Sequence, residues 1–324
     1  MTRLERKIIT SIPIAFILNK SKHWYLPGFE GVPLYDVVRF FYRQVKTVGL
    51  TERASAIAYN FIMAIPPSFL FLFTLIPNLP FIKKREIFKQ LSLIIKDIIP
   101  AEGYNRTIIT FIDKTFFQTP VFGLLSFGLL LALFFASNAM MGLMRSFNKN
   151  YHGFERRVDL HTRWVAIRLT VLIFGLVLGC LVILITQGAV LKFFGLRSAF
   201  WLALILYLRW LVIIALIFYS IAFIYKYAPA VQKKWKLVSP GTILATFLCI
   251  AASLGFSSFV NSFGRYNALY GSIGTIIVLM ALVFINSLVL LIGFELNVSI
   301  KTLKARAEQR DAKEKLQLAA QKNT

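Results

Sequence analysis

The sequence predicts an all-α, polytopic integral membrane protein with six transmembrane helices and further amphipathic helices at the membrane interface. Three observations carry this expectation. Of 324 residues, 57% are hydrophobic, 15% aromatic and only 16% charged, where soluble domains usually hold about 25% charged residues. The apolar residues gather in runs that, at about 1.5 Å per helical residue, are long enough to cross the ~30 Å hydrocarbon core of a bilayer. The formal net charge of +23 sits in the gaps between these runs and in two tails. That is the distribution that orients membrane proteins, and it argues against a nucleic-acid partner.

Residues 1–53 read as a cytoplasmic or interfacial segment. Residues 8–18 (IITSIPIAFIL) follow Arg3, Arg6 and Lys7 but are too short to span, and no small-residue cleavage site follows. They are expected to be retained and to lie on the membrane surface. Over residues 34–48, Leu34, Val37, Val38, Phe41, Val45 and Val48 share one helical face, with Arg39, Arg43 and Lys46 opposite. Such a basic amphipathic helix belongs at an anionic interface.

Residues 54–300 form the expected transmembrane domain. The first span covers 54–76, with Thr51 as N-cap and Glu52 in the first turn, where an acid favours the helix dipole. Pro66 and Pro67 remove two backbone donors near its middle, which predicts a kink or break, a hinge at membrane depth, with Ser55, Tyr59 and Asn60 nearby. Residues 81–120 are too broken to span. Their stripes Ile87, Phe88, Leu91, Ile94, Ile95, Ile98 and Ile108, Ile109, Ile112, Phe116 predict two short amphipathic helices, an outer-side insertion resting at the interface or folding over as a lid.

The second span is 121–144, and the third, 164–188, places Gly175 and Gly179 at GxxxG spacing for close helix packing. A fourth begins either at 199 or at 210. The first choice sinks Arg209 about 15 Å deep; the second leaves it an interfacial anchor. The fifth is 240–260, with Ala251, Gly255, Ser257 and Ser258 as close-packing positions, and the sixth is 268–300, whose one acid is Glu295. Residues 301–324 make a basic tail. With six spans, 25 of the 37 Lys and Arg fall on the side of the two tails and 10 on the other, so both termini are expected in the cytoplasm. Cys180 and Cys249 lie inside apolar runs without partner spacing, so they read as small apolar residues.

The segment YKYAPAVQKKWKLVSPGTILAT and the run NALYGSIGTIIVLMALVFINSLVLLIGFELNVSI resemble the YihY/BrkB family of bacterial inner-membrane proteins. Tyr227, Ala228 and Pro229 close the fourth span, Pro240 and Gly241 open the fifth, Tyr270, Gly271 and Gly274 open the sixth, and Gly293, Phe294, Glu295, Leu296 and Asn297 end it. RASAIAYNFIMAIPP and the stretch 142–150 with Arg145 and Asn148 extend the likeness to roughly 34–300. The resemblance implies an inner-membrane location and six helices with both ends cytoplasmic. Members have carried the label ribonuclease BN, a historical mislabel, and others are linked with virulence or envelope lipid traffic.

The residues themselves offer no nuclease chemistry. Water activation on a phosphodiester needs clustered acids or a His arrangement, and the three histidines, His23, His152 and His161, have no such company; Glu155 and Asp159 near the last two read as a solvated charged face. No GxSxG, HExxH, P-loop or CxxC pattern occurs, so no catalytic residue, metal or cofactor is expected. Glu295 has two readings. It pairs with Arg53 or Arg145 and locks the last helix to the others, or it belongs to a polar site with Asn297, Arg53, Asn60, Arg145 and Asn148. The remaining chemistry is that of an amphiphile binder, in which apolar surface takes acyl chains while Arg209, Tyr59 and these polar groups take an anionic headgroup. Membrane lipids, anionic ones, are the expected partners. The alternative is a non-transporting scaffold that recruits partners through its basic cytoplasmic segments.

Overall fold

A computed structural model of the chain describes residues 20–75, 92, 109–110, 113, 121–148, 159–193, 199–231, 234–262 and 265–322. The expected surface segment 8–18, nearly all of the insertion 81–120, and His152 with Glu155 lie outside the described residues. The long elements are all helices: α1 (Leu34–Thr47), α2 (Leu50–Leu75), α3 (Val121–Phe147), α4 (Asp159–Phe193), α5 (Ala199–Tyr227), α6 (Pro240–Ser262) and α7 (Arg265–Lys322).

Five of them contain stretches long and apolar enough to cross a membrane: Leu50–Leu72, Ser126–Phe147, Asp159–Leu181, Trp210–Tyr227 and Ile277–Lys315. The expected fifth span, 240–260, falls in α6, whose described side chains form an apolar stretch over Pro240–Phe256. Large apolar side chains stand exposed on these helices, among them Leu130 at 68% and Phe247 at 67%. Exposure on this scale is costly in water and unremarkable in lipid.

Several boundaries differ from the sequence expectation. Gly49 has φ +64° and its carbonyl accepts the Arg53 N–H at 3.3 Å, so α2 starts ahead of Thr51, which sits inside the first turn and is not the cap. The backbone of α2 is not broken at Pro66 and Pro67, which lie inside the helix. A single helix, α5, covers both proposed starts of the fourth span, so the backbone does not choose between them. Helix α7 does not end at residue 300 but continues to Lys322. At about 1.5 Å per residue its 58 residues reach roughly 87 Å, so much of it stands beyond the hydrocarbon.

The described chain divides into two compact units. The first comprises Met1–Ala56, Ser146–Arg156 and Ile217–Thr324, the second Ile57–Arg145 and Arg157–Leu216. In the first, Phe29, Val32 and Val37 pack with Ile300, flanked by Leu34, Leu296 and Leu303, so the apolar face of α1 and the loop before it lie on α7. The loop is closed by the Leu34 N–H on the Trp24 carbonyl at 2.9 Å. Here α6 and α7 come closest at Gly241 and Gly293: a Cβ on Gly293 would lie 2.6 Å from both the Gly241 carbonyl and the Tyr225 hydroxyl.

In the second unit, Gly128 of α3 meets the α2 backbone at Phe71, whose ring packs edge-on to Phe174 at 6.1 Å. Arg163 donates to Asn138 Oδ1 and lies 5.2 Å over the Phe134 ring. Gly175 and Gly179, expected to mediate close packing, meet nothing within 4 Å among the described residues, and neither does Gly255. The close approaches fall where helix backbones cross, and small-residue spacing alone does not locate a crossing.

Candidate functional site

The centre of the first unit is a buried ion pair. Arg53, 3% exposed in the first turns of α2, donates from Nη1 to Oε1 of Glu295, fully buried on α7, at 2.6 Å. Its Nη2 donates to the Ser146 carbonyl. Ser146 lies in the last turn of α3, where carbonyls have run out of helical donors and the dipole favours a cation. One guanidinium therefore ties three helices that are far apart in sequence. Arg145, the other partner considered for Glu295, is exposed, because one residue further along a helix turns the side chain about 100° away.

An aromatic stack forms from residues adjoining Ser146 and Glu295 in sequence. The Phe147 and Phe294 rings are parallel at 4.0 Å, Trp235 stacks on Phe294 at 5.5 Å, and Tyr225 meets Phe147 edge-on at 6.0 Å. The Tyr225 hydroxyl is anchored by donating to the Leu290 carbonyl at 2.6 Å. With water kept away, neither charge is tolerable without the other.

Two amides extend the polar layer. Asn148 Oδ1 accepts the Ala230 N–H at 2.9 Å, holding the turn after α5. Asn297, 4% exposed, accepts the Gly241 N–H at 2.9 Å and donates to Ser239 Oγ at 2.9 Å. Ser239 in turn accepts the Thr242 N–H at 3.2 Å, so the first turn of α6 is capped by its own serine and by an amide from α7. None of Ser146, Ser239, Tyr225 or Trp235 was singled out from the sequence. Their parts depend on a carbonyl, a cap and ring contacts made across elements, for which the sequence carries no separate signal.

Beside this layer a cleft opens, lined by Trp235, Lys236, Ser239, Asn297, Lys301 and Glu30 among others. Glu30 bridges Lys301 Nζ at 2.5 Å and Lys304 Nζ at 3.2 Å. Burial alone would raise the Glu30 pKa, but its bonds to the two ammonium groups and their charges bring it below the ordinary carboxylate value. Because the folded pKa is the lower one, this clamp stabilises the protein above the unfolded carboxylate range, ~4.3, and the stabilisation is lost as pH falls through the folded value. The difference in Tm between wild type and Glu30→Gln is therefore expected to be largest near neutral pH and to close on acidification below ~4. A difference that grows on acidification contradicts the assignment.

Of the residues expected to bind a ligand, Arg53, Asn148, Glu295 and Asn297 thus belong to one unit, and the polar contacts above knit its elements together. Tyr59, Asn60 and Arg145 belong to the other. There Tyr59 is exposed and Asn60 packs on Gly142, where a Cβ would come within 2.7 Å of the amide nitrogen. Arg209 lies in α5, but its side chain is outside the described ones. Among the described residues no group of three or more His, Cys, Asp or Glu is placed to hold a metal ion.

Over residues 41–318 the chain matches the family described as Virulence factor BrkB. It is 29% identical over 256 residues to a ribonuclease-like protein, YfkH, of Bacillus subtilis, covering 78% of this chain and 90% of that one. It is 25% identical over 286 residues to a UPF0761 membrane protein of Tolumonas auensis, covering 82% and 88%. No solved structure matches the chain significantly.

Proposed function

This chain belongs to the Virulence factor BrkB family, whose relatives include UPF0761 membrane proteins, and on that premise we propose that it binds, and moves, an anionic envelope lipid or lipid-linked precursor in the bacterial inner membrane. The observation that carries the reading is the cleft at the start of α6. Lys236 and Lys301 stand there beside Ser239 and Asn297, next to apolar Trp235, Val238 and Ile300. Cationic and amide donors suit a phosphate, and the exposed apolar flanks of the helices suit acyl chains. In this reading the Arg53–Glu295 pair holds the walls, since its two charges are spent on each other. Arg209, Tyr59, Asn60 and Arg145 remain candidates for contacts along the lipid's path. The reading is that of a binder or carrier rather than an enzyme.

Native mass spectrometry of the full chain in mild detergent, with extraction of the retained lipids, tests it. Wild type is expected to keep an anionic lipid in stoichiometric amount. Lys236→Ala, a change at an exposed side chain, should weaken that retention about five-fold, since a lysine near an anionic surface contributes ~1 kcal/mol. Bulk lipids alone, in equal amounts for both proteins, overturn the reading. It includes a six-span topology, with α6 as the fifth crossing and both termini cytoplasmic. A thiol introduced at Gln309→Cys should then react with an impermeant reagent in inverted vesicles and not in right-side-out cells.

One observation favours the scaffold alternative: α7 runs on to Lys322, and its side chains are exposed through Glu308, Arg310, Asp311 and Lys313 to Lys315. Removal of residues 305–324 separates the two. A lipid binder keeps its lipid without them, whereas a scaffold loses its partners and its role.

A further inference from the structure

Glu30 has an unusual backbone. Its φ is +52°, the left-handed region that side chains disfavour, between Gly28 at +91° and Gly31 at +82°. Glycine would adopt that conformation with less strain, so a glutamate there implies that its side chain is what the turn holds in place. That side chain is 20% exposed, lines the cleft, and bridges Lys301 and Lys304. On the same cleft Lys236 is exposed and makes no ion pair with a described residue.

We propose that Glu30 is a tethered stand-in for an anionic ligand: its carboxylate holds Lys301, which lines the cleft, and also reaches Lys304, and a phosphate-bearing ligand displaces it from Lys301 and binds that lysine together with Lys236. This rests on the reading of the cleft as a headgroup site. The exchange is balanced in charge. A phosphodiester carries one negative charge, as the carboxylate does, so Lys301 keeps a counter-ion throughout, and Lys236, which makes no ion pair with a described residue, gains one. Displacement also frees the 28–31 turn, which lies against the start of α6 where a Cβ on Gly28 would come 2.9 Å from the Pro240 ring. Occupancy of the cleft is thereby coupled to how the loop before α1 sits on α6.

The test is a titration of the detergent-purified full chain with short-chain phosphatidylglycerol, short-chain phosphatidylcholine and inorganic phosphate, in wild type, Glu30→Gln, Glu30→Gly and Lys236→Ala. Glu30→Gly is included because glycine suits the turn and preserves its backbone while removing the carboxylate. Removing this internal competitor is expected to tighten phosphatidylglycerol binding by up to about five-fold in at least one of the two Glu30 variants, the upper end for a partly exposed ion pair. Lys236→Ala should weaken it, and phosphatidylcholine, with no net charge, should gain nothing. If inorganic phosphate gains as phosphatidylglycerol does and competes with it, the ligand is recognised as a free anion; a gain confined to the lipid assigns a headgroup with its chains. Either gain supports the stand-in. Phosphatidylglycerol binding that Lys236→Ala weakens and neither Glu30 variant tightens overturns the stand-in alone. No anionic binding by any of the four proteins overturns the headgroup reading as well.

Discussion

Glu295→Gln is expected to destabilise the protein by about 3–5 kcal/mol, the range for removing one partner of a buried ion pair. The Arg53 guanidinium stays behind, 3% exposed, with the Ser146 carbonyl and without the Glu295 carboxylate. Arg53→Met is expected to cost a similar amount, this time leaving the carboxylate uncompensated. The paired replacement, Arg53→Met with Glu295→Leu, removes both charges and should recover most of the loss, because the pair's own net contribution is small beside the penalty of splitting it. Unfolding followed by Tm and by denaturant titration in detergent measures all three. If the double variant is as damaged as either single one, the groups do more than neutralise each other, and the reading of the pair as the lock between α2, α3 and α7 fails.

Gly241→Ala and Gly293→Ala are the second large expected effect. At Gly293 an added Cβ would lie 2.6 Å from the Gly241 carbonyl and 2.7 Å from Ala245 Cβ, and at Gly241 one would come 2.6 Å from Asn297 Cγ. The obstacle is backbone from the neighbouring helix, which no rotamer change removes. The expected loss exceeds the about 1–3 kcal/mol of ordinary overpacking, and it should disturb the cleft as well, since Asn297 also caps α6. Gly255→Ala is the control. It lies in the same helix with nothing within 4 Å among the described residues, so the change should be neutral or stabilising by up to about 1 kcal/mol from helix propensity. Thermal melts of the three variants decide this, and equal behaviour of Gly255→Ala and Gly293→Ala would falsify the close crossing of α6 and α7.

Membership of a membrane family and an all-helical architecture were legible because the bilayer imposes one-dimensional rules. A spanning helix must be long and apolar, and those properties can be counted along the chain. The amphipathic helix at 34–47 was legible for the same reason, through the period of its apolar residues. Glu295 stood out as the one acid in a long apolar run, and Arg53 could be named as one of two partners because a buried charge demands another. What could not be read was which of Arg53 and Arg145 would turn inward, since that depends on the rotation of each helix about its own axis. Nor was it visible that the Ser146 carbonyl would share the guanidinium, or that Gly241 and Gly293, and not Gly175 and Gly179, would mark the close crossing.

By itself the amino-acid order determined the lipid-facing class of this protein, its helices, the amphipathic face of α1 and the rarity of charge within its apolar runs, because each of these follows from local composition and periodicity. Only the tertiary structure decided the Arg53–Glu295–Ser146 junction, the stack of Phe147 on Phe294, and the clamp in which Glu30 meets Lys301 and Lys304. Glu30 and Lys301, for one, stand 271 positions apart. Such contacts are selected by the packing of whole helices, where a rotation of one residue exchanges a buried side chain for an exposed one.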